Sequence, residues 1–406
     1  MEERKQKDGR VLLLEREGKI LTLLFHGNRL YRADACDPKG VLLNNIYIGK
    51  VKNVVHNIQA AFVEFTPGML CFLPLKELDR PLLTNRKFDG RLVAGDEIVL
   101  QIRSEAQKTK EAGASCHLSF PGKYIVLTSG KRHIGYSSRL SETDRKRLRE
   151  FAEGCSSFLE AEKEYGVMFR TSAGELEDFS LLEKELLRLK EEGDILQKYA
   201  MHRTCFSLLK KAPVLWLKNL QDYDSLAYEK ILTDHPGIYR EAKEYLEKYQ
   251  PEEVDKLVFY EDALLPLYKL YSVEARLSEA LDRKVWLKSG GYLVIDRTEA
   301  LTCIDVNSGK YVGKKSGDES YFHINLEAAE EIAVQLRLRN LSGIIIIDFI
   351  NMKAKEKNRQ LMNSLKKFLD KDPVRTSVVD MTPLGLVEVT RKKEKKSLWE
   401  QLRREK

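Results

Sequence analysis

The chain has 406 residues, 43% of them hydrophobic, with 69 Lys+Arg against 62 Asp+Glu and a net charge of +7. That apolar content excludes a disordered chain, and the length allows about two to four domains. A charged start at Met1-Glu2-Glu3-Arg4-Lys5 predicts no signal peptide, no apolar run is long enough to predict a membrane span, and Cys36, Cys71, Cys116, Cys155, Cys205 and Cys303 lack the spacing of a zinc knuckle or disulfide framework, which fits a cytoplasmic location.

In chain order, Val11 to Glu15 and Ile20 to Phe25 flank a turn at Glu17-Gly18-Lys19 and read as a hairpin. Alone it is too small to fold, so it must pack on something later in the chain. Between residues 36 and 120, short strands recur between Gly, Pro and Asn: Tyr47 to Val51, Ala60 to Phe65, Cys71 to Pro74 and Glu97 to Ile102. That rhythm predicts a small barrel. Strand alternation puts Phe62 on the face of Glu64, opposite Ala61, Val63 and Phe65. An aromatic so placed can stack bases, although residue type alone favours the core for Phe62 and Phe72.

Residues 121 to 212 mix strands and helices. Lys123 to Thr128 is a strand, Ser141 to Ala152 is a helix opening on the capping box Ser141-Glu142-Thr143-Asp144, and Gly166 to Thr171 is a strand. Leu181 to Leu209 is largely helical, with a break expected at Gly193. A further helix is expected near Ser272 to Leu281.

From residue 284 the pattern is strand Tyr292 to Ile295, strand Thr298 to Val306, a loop from about Ser308 to His323, a helix bearing Leu326, Ala329, Ala333 and Leu336, and a buried strand Ile344 to Ile347. Strand, helix, buried strand is a βαβ crossover, whose ligands bind beyond the carboxyl ends of the strands. Asp305 and Asp348 stand at those ends. A carboxylate directly after four isoleucines is costly to bury unless something compensates it, and a divalent cation would. Asn307 would point the same way as Asp305 and adds no charge. Hard oxygen ligands favour magnesium over zinc. Lys310, Lys314 and Lys315 on the loop, and Arg391 and Lys392 after the last strand, are candidates to neutralise phosphates. Strand-end caps or salt-bridge partners remain the other reading of the two aspartates. The basic run from Arg391 to Arg404 reads as a polyanion contact or as a solvated surface helix.

The ordered series Ser289-Gly290-Gly291, Thr298-Glu299-Ala300-Leu301-Thr302, Asp305-Val306-Asn307-Ser308-Gly309, Asn325-Leu326-Glu327-Ala328-Ala329, Gln335-Leu336-Arg337-Leu338-Arg339 and Ile346-Ile347-Asp348-Phe349-Ile350 closely resembles the RNase E/G family of endoribonucleases. Upstream, Ile48-Gly49-Lys50-Val51 and Ala60-Ala61-Phe62-Val63 with Phe72-Leu73-Pro74-Leu75-Lys76 resemble that family's S1 domain. The resemblance implies an α+β multidomain chain. Residues 1–35 and 213–281 would form a discontinuous RNase H-like subdomain, 36–120 an S1-type OB barrel, 121–212 a 5′-sensor region, and 282–402 a DNase I-like catalytic subdomain.

It further implies Mg2+-dependent hydrolysis of single-stranded RNA to 5′-phosphate and 3′-hydroxyl ends, in rRNA or mRNA processing or decay. By position, Asp305 and Asp348 match the metal-binding aspartates and Asn307 the asparagine that supports them. Phe62, Phe72 and Lys110 match RNA-holding barrel residues. Arg170 and Thr171, with Gly135 nearby, match the 5′-monophosphate sensor, where Tyr136-Ser137-Ser138 departs from the commoner pattern. Pro383 stands where some members carry a basic residue, with Arg391 as the replacement contact.

The family's cysteine-bearing zinc-link motif is not found before Lys406, nor is the long scaffold of the larger members. Any homo-oligomer is therefore expected to form without a zinc link, and degradation partners are not expected through a C-terminal scaffold. The alternative reading is a non-catalytic RNA-binding or ribosome-associated factor. Retention of Asp305, Asn307 and Asp348 disfavours it. A nuclease acting on DNA is the third reading, and only the resemblance selects RNA.

Overall fold

The computed structural model describes residues 9–38, 42–104, 106, 111–130, 132–223, 227–262, 264–309 and 317–403. The chain divides into two units, one of Met1–Pro38, Ser225–Glu244 and Glu252–Lys406, the other of Lys39–Asp224 and Tyr245–Pro251.

In the second unit, strands Ile46–Val55, Ala60–Thr66, Met69–Pro74, Ala112–Ser115 and Glu97–Ser104 pair in that spatial order. Ile46–Val55 also pairs with Glu97–Ser104, so the five strands close into an OB-like barrel without a free edge. Ala61, Val63 and Phe65 fill the interior with Ile98 and Leu100. Ala112–Ser115 has the sequence Ala-Gly-Ala-Ser and carries no strand signature of its own; pairing with both neighbours makes it a strand.

A second sheet of this unit orders Ile134–Tyr136, Tyr165–Phe169, Ile125–Ser129 and Ser119–Pro121 against three helices, Glu142–Gly154, Ser156–Glu162 and Ser180–Ala200. The Ser141 hydroxyl caps the first helix by accepting the Asp144 N–H at 3.0 Å. The third helix runs unbroken through Gly193. A Cβ there would meet the Tyr165 hydroxyl at 2.8 Å, so this glycine makes room for a ring instead of ending the helix. The helix stops at Ala200, short of the expected Leu209.

In the first unit, the hairpin Gly9–Arg16 and Lys19–His26 extends to a third strand, Arg29–Cys36. Glu17 and Gly18 both take positive φ (51° and 73°), the conformation that a two-residue hairpin turn requires. Gly9–Arg16 pairs in parallel with Lys230–Thr233, which joins Leu257–Phe259. The sheet buries Leu12, Leu14, Leu23 and Phe25 against Leu267, Tyr271 and Val273.

The last sheet has the order Lys284–Trp286, Tyr292–Arg297, Leu301–Asn307, Gly343–Asp348, Leu386–Arg391 and Thr376–Met381. Helix Asp318–Leu338 crosses between two parallel strands, and helix Lys355–Asp370 packs beside it. One face is core, with Ile295, Ile304, Val306, Ile345 and Ile347 against Ile324, Ala328, Ile332 and Leu361. The other face is open. Ile344 is therefore 51% exposed, which corrects the expectation of a fully buried strand: the helices cover a single face, and only alternate isoleucines reach it. Helix begins at Asp318, inside the expected loop, and Lys310, Lys314 and Lys315 lie outside the described residues. Among the described residues, no helix is long and apolar enough to cross a membrane.

Candidate active site

Strands Leu301–Asn307 and Gly343–Asp348 place Asp305 directly opposite Asp348. Adjacent strands lie about 4.8 Å apart, so two carboxylates on one face can share one cation. The Asn307 amide donates to an Asp305 carboxylate oxygen at 2.7 Å, fixing its orientation without adding charge. Both aspartates are exposed. The desolvation argument for a compensating cation thus fails for Asp348, because the isoleucines that precede it do not bury it. The juxtaposition itself replaces that argument. Two hard oxygen donors suit magnesium, which keeps several waters and takes one or two carboxylates plus substrate phosphate. Among the described residues no cluster of three or more His, Cys, Asp or Glu side chains offers a full protein cage.

Polar groups outside the predicted set hold this end of the sheet. Asn325, fully buried in the crossover helix, donates to the Ile350 carbonyl at 2.7 Å and accepts the Ile350 N–H at 3.0 Å. This clamps the backbone two residues beyond Asp348. The Asp318 carboxylate accepts the N–H groups of Lys353 and Ala354, each at 3.0 Å. The Glu327 carboxylate accepts the Lys288 N–H at 2.7 Å and the Ser289 N–H, shaping the turn at Ser289-Gly290-Gly291. A Cβ on Gly309 would stand 2.4 Å from the Gly290 carbonyl oxygen, so the turn after Asn307 presses on that turn. An asparagine within an otherwise apolar helix face was the available sequence signal for Asn325.

Arg391 is not a phosphate contact. It is 4% exposed; its guanidinium donates to Asp372 at 2.8 and 3.3 Å, to Asn340 at 2.7 Å and to the Leu341 carbonyl at 3.0 Å. Strand pairing turns its side chain to the helix-covered face, so it cannot replace a basic residue at Pro383 either. Lys392 is exposed beside Glu394, with Nζ 3.0 Å from that carboxylate.

In the other unit, Phe62 and Phe72 are register partners on the outside of the barrel, partly exposed, with ring centroids 6.1 Å apart. Alternation overrides the residue-type preference for the core. Lys110 lies outside the described residues. Gly135 pairs beside Met168, whose side chain fills the space a Cβ would need. Arg170 and Thr171 follow the strand Tyr165–Phe169. One Arg170 nitrogen donates to the Gly122 carbonyl at 2.8 Å, and the Thr171 hydroxyl lies 3.0 Å from that of Ser137. Tyr136 stacks on Phe169 at 5.4 Å, and partial burial pushes its phenol pKa up.

Glu185, which sequence reasoning passed over, supports this cluster. Its carboxylate accepts the N–H groups of Lys123, Tyr124 and Ile125 at 2.6, 2.9 and 2.9 Å, fixing the turn that anchors Arg170. Burial raises its pKa although those three bonds pull the other way.

An OB-like barrel with paired outer aromatics in one unit, and an α/β sheet ending in paired carboxylates in the other, define a mixed α/β protein. A family model described as the Ribonuclease E/G family matches residues 119–394. Ribonuclease G of Salmonella typhimurium (strain SL1344) is 34% identical over 369 residues, covering 88% of this chain and 74% of that protein. Ribonuclease G of Haemophilus influenzae matches over the same shares at the same identity, and Ribonuclease E of Escherichia coli (strain K12) is 33% identical over 94% of this chain and 36% of its own length. The chain belongs to the ribonuclease E/G family, which places it among the endoribonucleases of that type.

Proposed function

We propose that this chain is a magnesium-dependent endoribonuclease that hydrolyses single-stranded RNA to 5′-phosphate and 3′-hydroxyl ends. The observation that carries the reading is the direct pairing of Asp305 with Asp348 at the carboxyl ends of adjacent parallel strands, with Asn307 bonded to Asp305. In it, Asp305 and Asp348 hold the metal and Asn307 keeps the Asp305 carboxylate turned toward it. Bound there, magnesium would polarise the phosphoryl group and ease deprotonation of the attacking water. Phe62 and Phe72 offer a stacking platform for unpaired bases, and Lys110 matches the family's RNA-holding lysine by sequence position. Lys392 offers an exposed cation to the phosphate backbone.

The same reading gives the discontinuous RNase H-like subdomain of residues 1–35 and 213–281 a scaffold role, the barrel an S1 role, 121–212 a 5′-sensing role and 282–402 the catalytic, DNase I-like role. Thr171 and Ser137 supply adjacent hydroxyls, and Arg170 a cation anchored on Gly122, for a terminal 5′-monophosphate. The sequence motifs favour a cytoplasmic enzyme of RNA processing or decay.

The test is cleavage of a 5′-monophosphorylated, AU-rich single-stranded RNA by wild type and Asp305→Asn, with magnesium and with EDTA, followed by end mapping. Internal cuts that need magnesium and vanish in the variant support the reading. Tight binding without cuts, where a known relative cleaves, would replace it with an RNA-binding role.

A further inference from the structure

Beyond the two aspartates, the open face of the same sheet carries an aromatic pair that the sequence motifs did not single out. Trp286 is opposite Tyr292, which is opposite Asn307; Lys284 is opposite Val294, which is opposite Asp305. Register partners and residues two apart share a face, so Trp286, Tyr292, Lys284, Asn307, Asp305 and Asp348 all project from one side. Strand spacing and rise put the Tyr292 position about 8 Å, and the Trp286 position about 12 Å, from that of Asp305.

The two rings meet edge to face with centroids 5.3 Å apart, and the Lys284 ammonium sits 3.9 Å from the indole centroid and 3.6 Å from the phenol centroid. Trp286 is nevertheless 64% exposed, on the strand at the border of the sheet. A large aromatic left in water, steadied by a cation and in register with a carboxylate pair, is built like a base-stacking platform rather than like core.

We propose that Trp286, Tyr292 and Lys284 form a single-strand RNA subsite beside the carboxylates, in which a base flanking the scissile phosphate stacks on the indole and Lys284 meets the adjoining backbone phosphate. The proposal rests on the nuclease reading and adds a determinant of substrate grip. Its occupant is RNA and not a second copy of the chain, because the platform is continuous with the carboxylate face and brings a cation to a polyanion.

The experiment measures binding of a short single-stranded RNA carrying 4-thiouridine at each position in turn to the full chain bearing Asp305→Asn, alone and with Trp286→Ala or Trp286→Phe. Expected are photo-cross-links to the peptide spanning 284–292 from nucleotides next to the cleavage position, about tenfold weaker binding with Trp286→Ala, and near-complete recovery with Trp286→Phe. Unchanged affinity and no cross-links there would overturn the subsite, as would a change confined to self-association in sedimentation. The two readings fail separately. A chain with Asp305 intact that cleaves equally well with and without Trp286 removes the subsite alone. A chain that binds RNA but never cuts it removes the nuclease reading, and the Trp286→Ala binding ratio still decides the subsite.

Discussion

The strand Gly343–Asp348 meets charge at both ends, and the two ends do opposite things. At its start, Gly343 pairs with Arg391, whose guanidinium is buried with Asp372 and satisfied by Asn340 and Leu341. At its finish, Asp348 is exposed and faces a second carboxylate of the same sign. Buried opposite charges with every guanidinium nitrogen bonded hold elements together, and removing one partner strands the other. Exposed like charges repel, hold nothing by themselves, and become useful when a cation or a phosphate-bound metal arrives between them.

Substitutions can break this contrast from either side. Under the proposed reading, Asp348→Asn lowers the cleavage rate by at least about a thousandfold, since a metal contributes several kcal/mol to the transition state and each tenfold is about 1.4 kcal/mol. Its urea midpoint should stay near wild type because the side chain is exposed. Single-turnover cleavage beside equilibrium unfolding checks both, and equal losses in RNA binding and cleavage would remove the metal-ligand role. Arg391→Ala should do the reverse, costing about 3–5 kcal/mol of stability by stranding Asp372, with cleavage per folded molecule retained. A selective loss of RNA affinity in a fully stable Arg391 variant would restore the phosphate contact rejected above.

Asn325→Ala should fall between the two ends. It leaves the Ile350 N–H and carbonyl without their partner, costing about 1–3 kcal/mol, and loosens the backbone just past Asp348. A lower cleavage rate at saturating RNA, with RNA affinity kept, is the expected signature; a stability loss with an unchanged rate would make Asn325 purely structural. Smallest is Arg170→Ala, far along the sequence from either end. It should reduce the preference for 5′-monophosphate over 5′-triphosphate RNA by about tenfold, on the order of one charge-assisted hydrogen bond. An unchanged ratio would remove the sensing role.

Several of these features were legible beforehand. Apolar runs ending in Asp305 and Asp348, separated by a helix-length pattern, placed both aspartates at the carboxyl ends of strands, and two-residue alternation put Phe62 on the face of Glu64, although residue type favoured the core. Others were not. Nothing local distinguishes Arg391 from Lys392, yet one is buried and the other exposed, because Arg391 ends the strand on its covered face and Lys392 lies past the strand's end. Gly193 looked like a break because the ring of Tyr165 that fills its space comes from another element. Trp286 carried no motif, and only strand register aligns it with Asn307.

By itself the sequence determined which residues alternate, where glycine and capping residues punctuate elements, and that two carboxylates end two apolar strands, since these follow from local periodicity and backbone preference. Tertiary structure alone decided that Asp305 stands in direct register with Asp348, that Arg391 is sealed against Asp372 and that Gly9–Arg16 pairs in parallel with Lys230–Thr233 rather than with another strand of its region. Those outcomes depend on which strands become neighbours and which face the helices cover, and neighbours distant in sequence leave no periodic trace in either segment alone.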